Sequence, residues 1–237
     1  PAVGRYSMGK AIVNLLQLED GERVNALIPL KKFEQQHYLI MVTKKGLIKK
    51  TPIEAFASQR KTGIIAISLM PGDELVQVRL TPGKLKLILG TAEGQAVKFD
   101  EQDVRSMGRT AAGVRAVRLS KDDYVVGLEV ALEIGALLTV TENGYGKRSP
   151  ISEYRLIKRG GKGVINIKTT ERNGNVVGIK TVMPHDEIML VTSNGVVIRV
   201  PAEEISEVGR NTQGVRIMKI REGDKVKSIT RIVSQKK

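Results

Sequence analysis

Four Thr-x-x-Gly turns recur along the chain: Thr43 to Gly46, Thr91 to Gly94, Thr141 to Gly144 and Thr192 to Gly195. Their glycines lie 48, 50 and 51 residues apart. Four residues after each glycine stands a base, Lys50, Lys98, Arg148 or Arg199. Ten after it stands an apolar anchor, Phe56, Val104, Tyr154 or Ile205. A second glycine series, Gly63, Gly113, Gly163 and Gly214, keeps the same period. Several landmarks holding one register over four copies define an internal repeat, and a repeat of this length restricts the chain to stacked or radial arrays.

Each copy reads as four strands. The first covers Val24–Leu30, Leu75–Leu80, Val125–Val130 and Val176–Val182, and in the second of these Val76, Val78 and Leu80 alternate with Gln77 and Arg79. A more continuous apolar run follows at Tyr38–Val42, Leu85–Leu89, Ala136–Val140 and Glu187–Val191, as suits a strand covered on both faces. The Thr-x-x-Gly turn reverses the chain into a third strand, which carries the base and is ended in three copies by Pro52, Pro150 or Pro201. The second glycine opens a fourth strand, as in Gly113–Leu119 and Gly214–Ile220. With scarcely any helical periodicity, the expected fold is all-β, a propeller-like ring of four-stranded blades at about 50 residues per repeat. The copies span 24–74, 75–124, 125–175 and 176–225. Residues 1–23 read as the back half of a blade, with Gly9 in the second-glycine role, and 226–237 as the first strand, from Val226, of a further or closing blade. The start at Pro1-Ala2-Val3 is expected to be the cut end of a longer chain.

Lys and Arg outnumber Asp and Glu by 39 to 25, and the excess favours a polyanionic partner. The bases gather at two places in each copy. One set follows the hairpin glycine: Lys49, Lys50, Lys98, Lys147, Arg148 and Arg199. The other precedes the second glycine: Arg60, Lys61, Arg105, Arg109, Lys158, Arg159, Lys162 and Arg210, with Arg5 in the same place before Gly9. Such regular spacing matches the regular charge of a phosphate backbone, and the neighbouring glycines let N–H groups approach it. All of these residues except Arg5 are expected to contact DNA, and reversing Lys98, Arg148 and Arg199 to Glu is expected to weaken binding with little loss of folding. No recognition helix or zinc finger is readable, and eight aromatic side chains make a poor stacking platform. Duplex nucleic acid, held through its backbone with little dependence on sequence, is therefore the expected ligand. Tyr154 and Phe56 are expected in the core, Tyr145 at the surface.

Nothing reads as catalytic. The absence of Cys excludes disulfides, thiolate nucleophiles and cysteine-ligated zinc, and His37 and His185 lack ligand-like neighbours. The glycines of Lys158-Arg159-Gly160-Gly161-Lys162-Gly163 lack Walker spacing. No enzyme activity, cofactor or metal is expected, and no apolar run approaches the ~18 residues of a membrane span.

Three stretches carry a family resemblance: Gly9-Lys10-Ala11-Ile12-Val13-Asn14-Leu15-Leu16, Asn143-Gly144-Tyr145-Gly146-Lys147-Arg148 and Gly209-Arg210-Asn211-Thr212-Gln213-Gly214-Val215. Ser106-Met107-Gly108-Arg109 and Thr170-Glu171-Arg172-Asn173-Gly174 add to it. Over essentially its whole length the chain resembles the C-terminal domain of the A subunit of bacterial DNA gyrase. The resemblance implies a β-pinwheel whose blades exchange strands, and a duplex wrapped on its basic perimeter in support of ATP-dependent negative supercoiling. It implies two partners: the gyrase B subunit, which carries the ATPase, and the remainder of the gyrase A subunit, which carries the cleavage tyrosine. It also implies a cytoplasmic, nucleoid-associated location. The family's signature box, Q-R-R-G-G-K-G, is matched only partly by Ile157–Gly163, in a later blade than the family's. Two alternatives are a topoisomerase IV C-terminal domain, which resembles gyrase's but wraps DNA weakly, and a propeller that docks an acidic protein.

Overall fold

In the computed structural model, residues 18, 21–22, 24–30, 36–58 and 63–232 are described. A hairpin of β1 (Tyr38–Thr43) and β2 (Leu47–Pro52) is followed by β3 (Leu75–Thr81). The hairpin β4 (Lys86–Thr91) and β5 (Gln95–Asp100) comes next, then the two-residue β6 (Val114–Arg115) and β7 (Val125–Val130). A third hairpin, β8 (Ala136–Thr141) and β9 (Tyr145–Pro150), precedes β10 (Val164–Ile165) and β11 (Val176–Val182). The last hairpin is β12 (Glu187–Thr192) and β13 (Val197–Pro201), with β14 (Val215–Arg216) and β15 (Val226–Ile232) after it. Single 3-10 turns after β2, β5, β9 and β13 are the helical segments among the described residues.

The repeated turn has a local cause. Gly46, Gly94, Gly144 and Gly195 all have φ near +80°, which glycine adopts without a steric penalty. The threonine hydroxyl helps close the turn: Thr43 Oγ1 accepts from Leu47 N at 3.2 Å, and Thr91 and Thr192 repeat the bond with Gln95 and Val196.

The sheets cross the repeat boundaries. Their strand orders are β3-β1-β2-β6, β10-β5-β4-β7, β11-β8-β9-β14 and β13-β12-β15. Each of the first three joins the hairpin of one copy to the first and fourth strands of the next. The four antiparallel sheets form a propeller-like arrangement, with β3, β7, β11 and β15 innermost and packed on one another. The second glycine marks the exchange: Gly163 has φ +87°, and a Cβ there would stand 2.5 Å from Ala96 O on the hairpin that receives β10. Two expectations are corrected. Residues 24–30 form no strand, because the first strand of a copy pairs with the preceding copy's hairpin, and none lies before them among the described residues. The fourth strands are only two residues long, since just those residues reach the ladder of the neighbouring hairpin.

Three apolar layers fill the gaps between successive sheets. Leu87 and Leu89 of β4 pack with Ile40, Val42 and Ile48 of the first sheet, while Ile88 faces Leu137, Ile151 and Ile179. Leu138 and Val140 of β8 meet Ile188, Leu190 and Ile205 on the far side. Central hairpin strands thus bury both faces, which is why their sequences are continuous rather than alternating, and each such side chain contributes about 1.5–3 kcal/mol. The anchors Val104, Tyr154 and Ile205 are buried, and Phe56 is half-buried.

Candidate nucleic-acid interface

The two basic sets have different surroundings. In the first, Lys49 and Lys147 have no accessible surface, and Lys50, Lys98 and Arg148 keep 7%, 5% and 9%. Their heads are committed to the following copy. Lys50 Nζ donates to Glu101 O at 3.1 Å, Lys98 Nζ to Ile151 O at 3.3 Å and Arg148 Nε to Ile205 O at 2.8 Å. Beside each bond the two copies form a parallel bridge, Lys50 with Ser106, Lys98 with Leu156 and Arg148 with Glu207. Glu133 accepts from Lys98 at 2.8 Å, and with Lys86 this holds its carboxyl below the usual range. The base four residues after the hairpin glycine is therefore a clasp between blades.

The residue before it clasps too. Lys147 Nζ donates to Gly209 O and Arg210 O, both at 2.6 Å, and Lys49 Nζ to Ala66 O at 2.6 Å and to Arg109 O. Burial pulls both ammonium groups down to about 8, with nearby Arg109 adding to the effect on Lys49. Deeply buried and with their heads bonded to backbone carbonyls, Lys49, Lys50, Lys98, Lys147 and Arg148 present little to an outer phosphate and are withdrawn as DNA contacts. Arg199 holds the same register and is open, its side chain 56% exposed and paired with Glu187. No copy follows it among the described residues, so the carbonyl it would meet is missing there. The Glu triple is corrected with them, because Lys98 and Arg148 hold blades together.

The second set lies outside. Arg60 and Lys61 fall outside the described residues. Arg105, Lys158 and Lys162 are exposed; Arg109, Arg159 and Arg210 are half-buried. These three arginines make equivalent lateral bonds: Arg109 Nη1 to Ile65 O at 3.3 Å, Arg159 Nη1 to Arg115 O at 3.0 Å and Arg210 Nη1 to Ile165 O at 2.7 Å. Each carbonyl lies two residues after the second glycine of the preceding copy. A guanidinium has five N–H donors, so such a bond fixes the fork and leaves donors free for an outer anion. The outermost strands and the loops before them thus carry cations that recur from copy to copy. The spacing reading missed Arg115, exposed on β6, which marks the same perimeter. Tyr145 is a further correction: it is 6% exposed, beneath the guanidiniums of Arg172 and Arg216.

The described residues contain no group of three or more acidic, His or Cys side chains able to hold a metal, and no helix long and apolar enough to cross a membrane. Strand-exchanged antiparallel blades with a basic outer edge define a propeller-like array. A solved structure of a DNA topoisomerase IV C-terminal domain superposes with a TM-score of 0.89 at 27% identity, over 94% of this chain and 70% of that one. A solved DNA gyrase A C-terminal domain gives 0.86 at 29%, over 96% and 76%. The family model described as "DNA gyrase C-terminal domain, beta-propeller" matches residues 1–31, 37–82, 85–131, 136–183 and 186–232, and the chain belongs to that family. The DNA gyrase A subunit of Klebsiella oxytoca is 46% identical over 232 residues, 98% of this chain and 26% of that protein. The chain thus spans about a quarter of the length of that relative.

Proposed function

We propose that this chain is a non-catalytic DNA-binding domain that holds and bends duplex DNA along its outer perimeter. The observation that carries the reading is the row of outer cations repeated from blade to blade, Arg105 and Arg109, Lys158, Arg159 and Lys162, then Arg210. A row of charges at the edge of a propeller-like array is curved, so a duplex tracking it must bend. Bending 20–30 bp by 40–90° costs roughly 1–6 kcal/mol, which several phosphate contacts offset. Contacts to phosphate carry no base information, so affinity depends on salt far more than on sequence. In a longer protein the bend would present a second DNA segment for ATP-driven strand passage. The catalytic tyrosine would come from the rest of the gyrase A subunit, the ATPase from the B subunit.

Titration of a random-sequence duplex tests this reading. If ~6–10 phosphates are neutralised, affinity falls about 10³–10⁵-fold between 50 and 200 mM salt. A salt-independent affinity, or no binding at low salt, would reject it. The close superposition on a topoisomerase IV C-terminal domain supports a second reading, in which DNA is held with little bending.

A further inference from the structure

One hollow departs from the repeat. It has a volume of about 450 Å³ and lies between the tip of the β8–β9 hairpin and the stretch after β14, with Tyr145, Arg172 and Arg216 in its wall. Register places Arg216 opposite Tyr145. The corresponding pairs are Leu47 with Arg115 in the first sheet and Gln95 with Ile165 in the second, so of the three pairs this one alone sets a cation against an aromatic ring.

Arg216 Nη2 donates to Tyr145 Oη at 2.8 Å, and its Cζ stands 5.4 Å from the ring centroid. The guanidinium of Arg172 stands over the same ring at 4.9 Å. The two cations, Arg172 first, hold the Tyr145 phenol below its usual pKa. Arg216 supplies an N–H group to the phenol oxygen, and the phenol's own proton has no hydrogen-bond acceptor among the described residues. Neither guanidinium meets a carboxylate among them. Two like charges on one small ring without a counter-ion, beside a free O–H donor, form a receptor for an oxyanion.

The receptor is built in advance. Asn143 Nδ2 donates to Glu171 O at 3.1 Å and Arg172 O at 3.2 Å, fixing the loop that bears Arg172. The fully buried Asn173 ties that loop to Lys168 O at 2.8 Å and Gln213 O at 3.0 Å, just before β14. Of the other charges around the hollow, Lys225 is paired with Glu142 at 2.9 Å, and Lys219 and Arg221 are exposed. Asp224 is the one carboxylate in the wall. Its Oδ1 accepts from Ser193 Oγ at 2.6 Å and from Asn194 N and Lys225 N, which leaves it turned to its own turn rather than to Arg216.

We propose that this hollow binds a phosphate group, gripped by Arg172 and Arg216 and receiving a hydrogen bond from the Tyr145 hydroxyl. The phosphate comes either from a duplex backbone, a source that rests on the function proposed above, or from a small phosphorylated molecule.

The test follows the tyrosine ring resonances of the whole chain, with Tyr145 assigned from a Tyr145→Phe variant, as inorganic phosphate or a short duplex is added. Phosphate is expected to shift the Tyr145 signal saturably, beyond chloride at equal ionic strength, and Arg216→Gln to abolish that shift. The other tyrosines must keep their positions, which shows that the variant is folded. If the duplex moves the same signal and Arg216→Gln lowers duplex affinity by about 8-fold at 0.1 M salt, the source is the DNA backbone. If phosphate saturates the site but the variant leaves duplex affinity unchanged, the site stands with a small phosphorylated ligand. A shift that chloride reproduces, or one that survives in Arg216→Gln, overturns the site. So does a Tyr145 signal that phosphate leaves unmoved in a chain that binds duplex normally, an outcome distinct from loss of duplex binding altogether.

Discussion

Replacing Arg148 by Glu should melt the junction between the third and fourth sheets, whereas Arg199→Glu, at the same repeat position, should be nearly silent. Arg148 is 9% exposed, with Nε on Ile205 O at 2.8 Å and Nη1 3.4 Å from Glu207. Its backbone is bonded to the same segment: Arg148 N donates to Ser206 O at 3.0 Å and Val208 N to Arg148 O at 2.9 Å. A glutamate there would set a buried anion against a carbonyl and a second carboxylate. Breaking a buried charged pair costs about 3–5 kcal/mol, which in a chain of this size lowers the thermal midpoint by on the order of 10 °C. Arg199 touches only Glu187 at the surface, and exposed pairs contribute roughly 0–1 kcal/mol. Thermal unfolding of the two variants decides the matter. Equal small shifts would mean that the clasp is dispensable; equal large ones would mean that burial does not separate the two residues.

The second large effect is on DNA. Replacing Arg105, Lys158 and Lys162 together by Gln removes three exposed outer cations that make no ion pair among the described residues. Each phosphate contact contributes about 0.9 to the slope of log affinity against log salt. The triple variant should flatten that slope by about 2.7 and weaken binding about 500-fold at 0.1 M salt, with unfolding unchanged. An unaltered slope would move the DNA path off these loops. A shifted melting temperature would show that the residues also support the fold.

Much of the fold was legible because one register repeats. The glycine turns, the continuous apolar runs and the alternation at Val76, Val78 and Leu80 each name a strand, and the observed bounds agree within a residue or so. The strand exchange was not legible from period alone, since a copy looks the same whether its first strand joins its own hairpin or the preceding one. The site divided for a related reason. A base repeated every 50 residues satisfies an outer polyanion and a neighbouring carbonyl equally well, so periodicity cannot distinguish a rim from a clasp. Flanking residues do not separate them either: Lys98 between Val97 and Phe99 is buried, whereas Arg199 between Ile198 and Val200 is open. In a strand such neighbours point to the face opposite the base, so they do not tell whether the base's own face is wet. Arg109, Arg159 and Arg210 stand on loops rather than strands, and they lie at the perimeter.

The most direct test of a curved DNA path is energy transfer between dyes on the two ends of a random-sequence duplex of ~40 bp, titrated with this chain at several salt concentrations. A rise in transfer on binding, lost as salt increases and reduced in the Arg105, Lys158 and Lys162 triple variant, is the predicted result. Tight binding with no rise would contradict the curved path, leaving a basic surface that holds DNA straight.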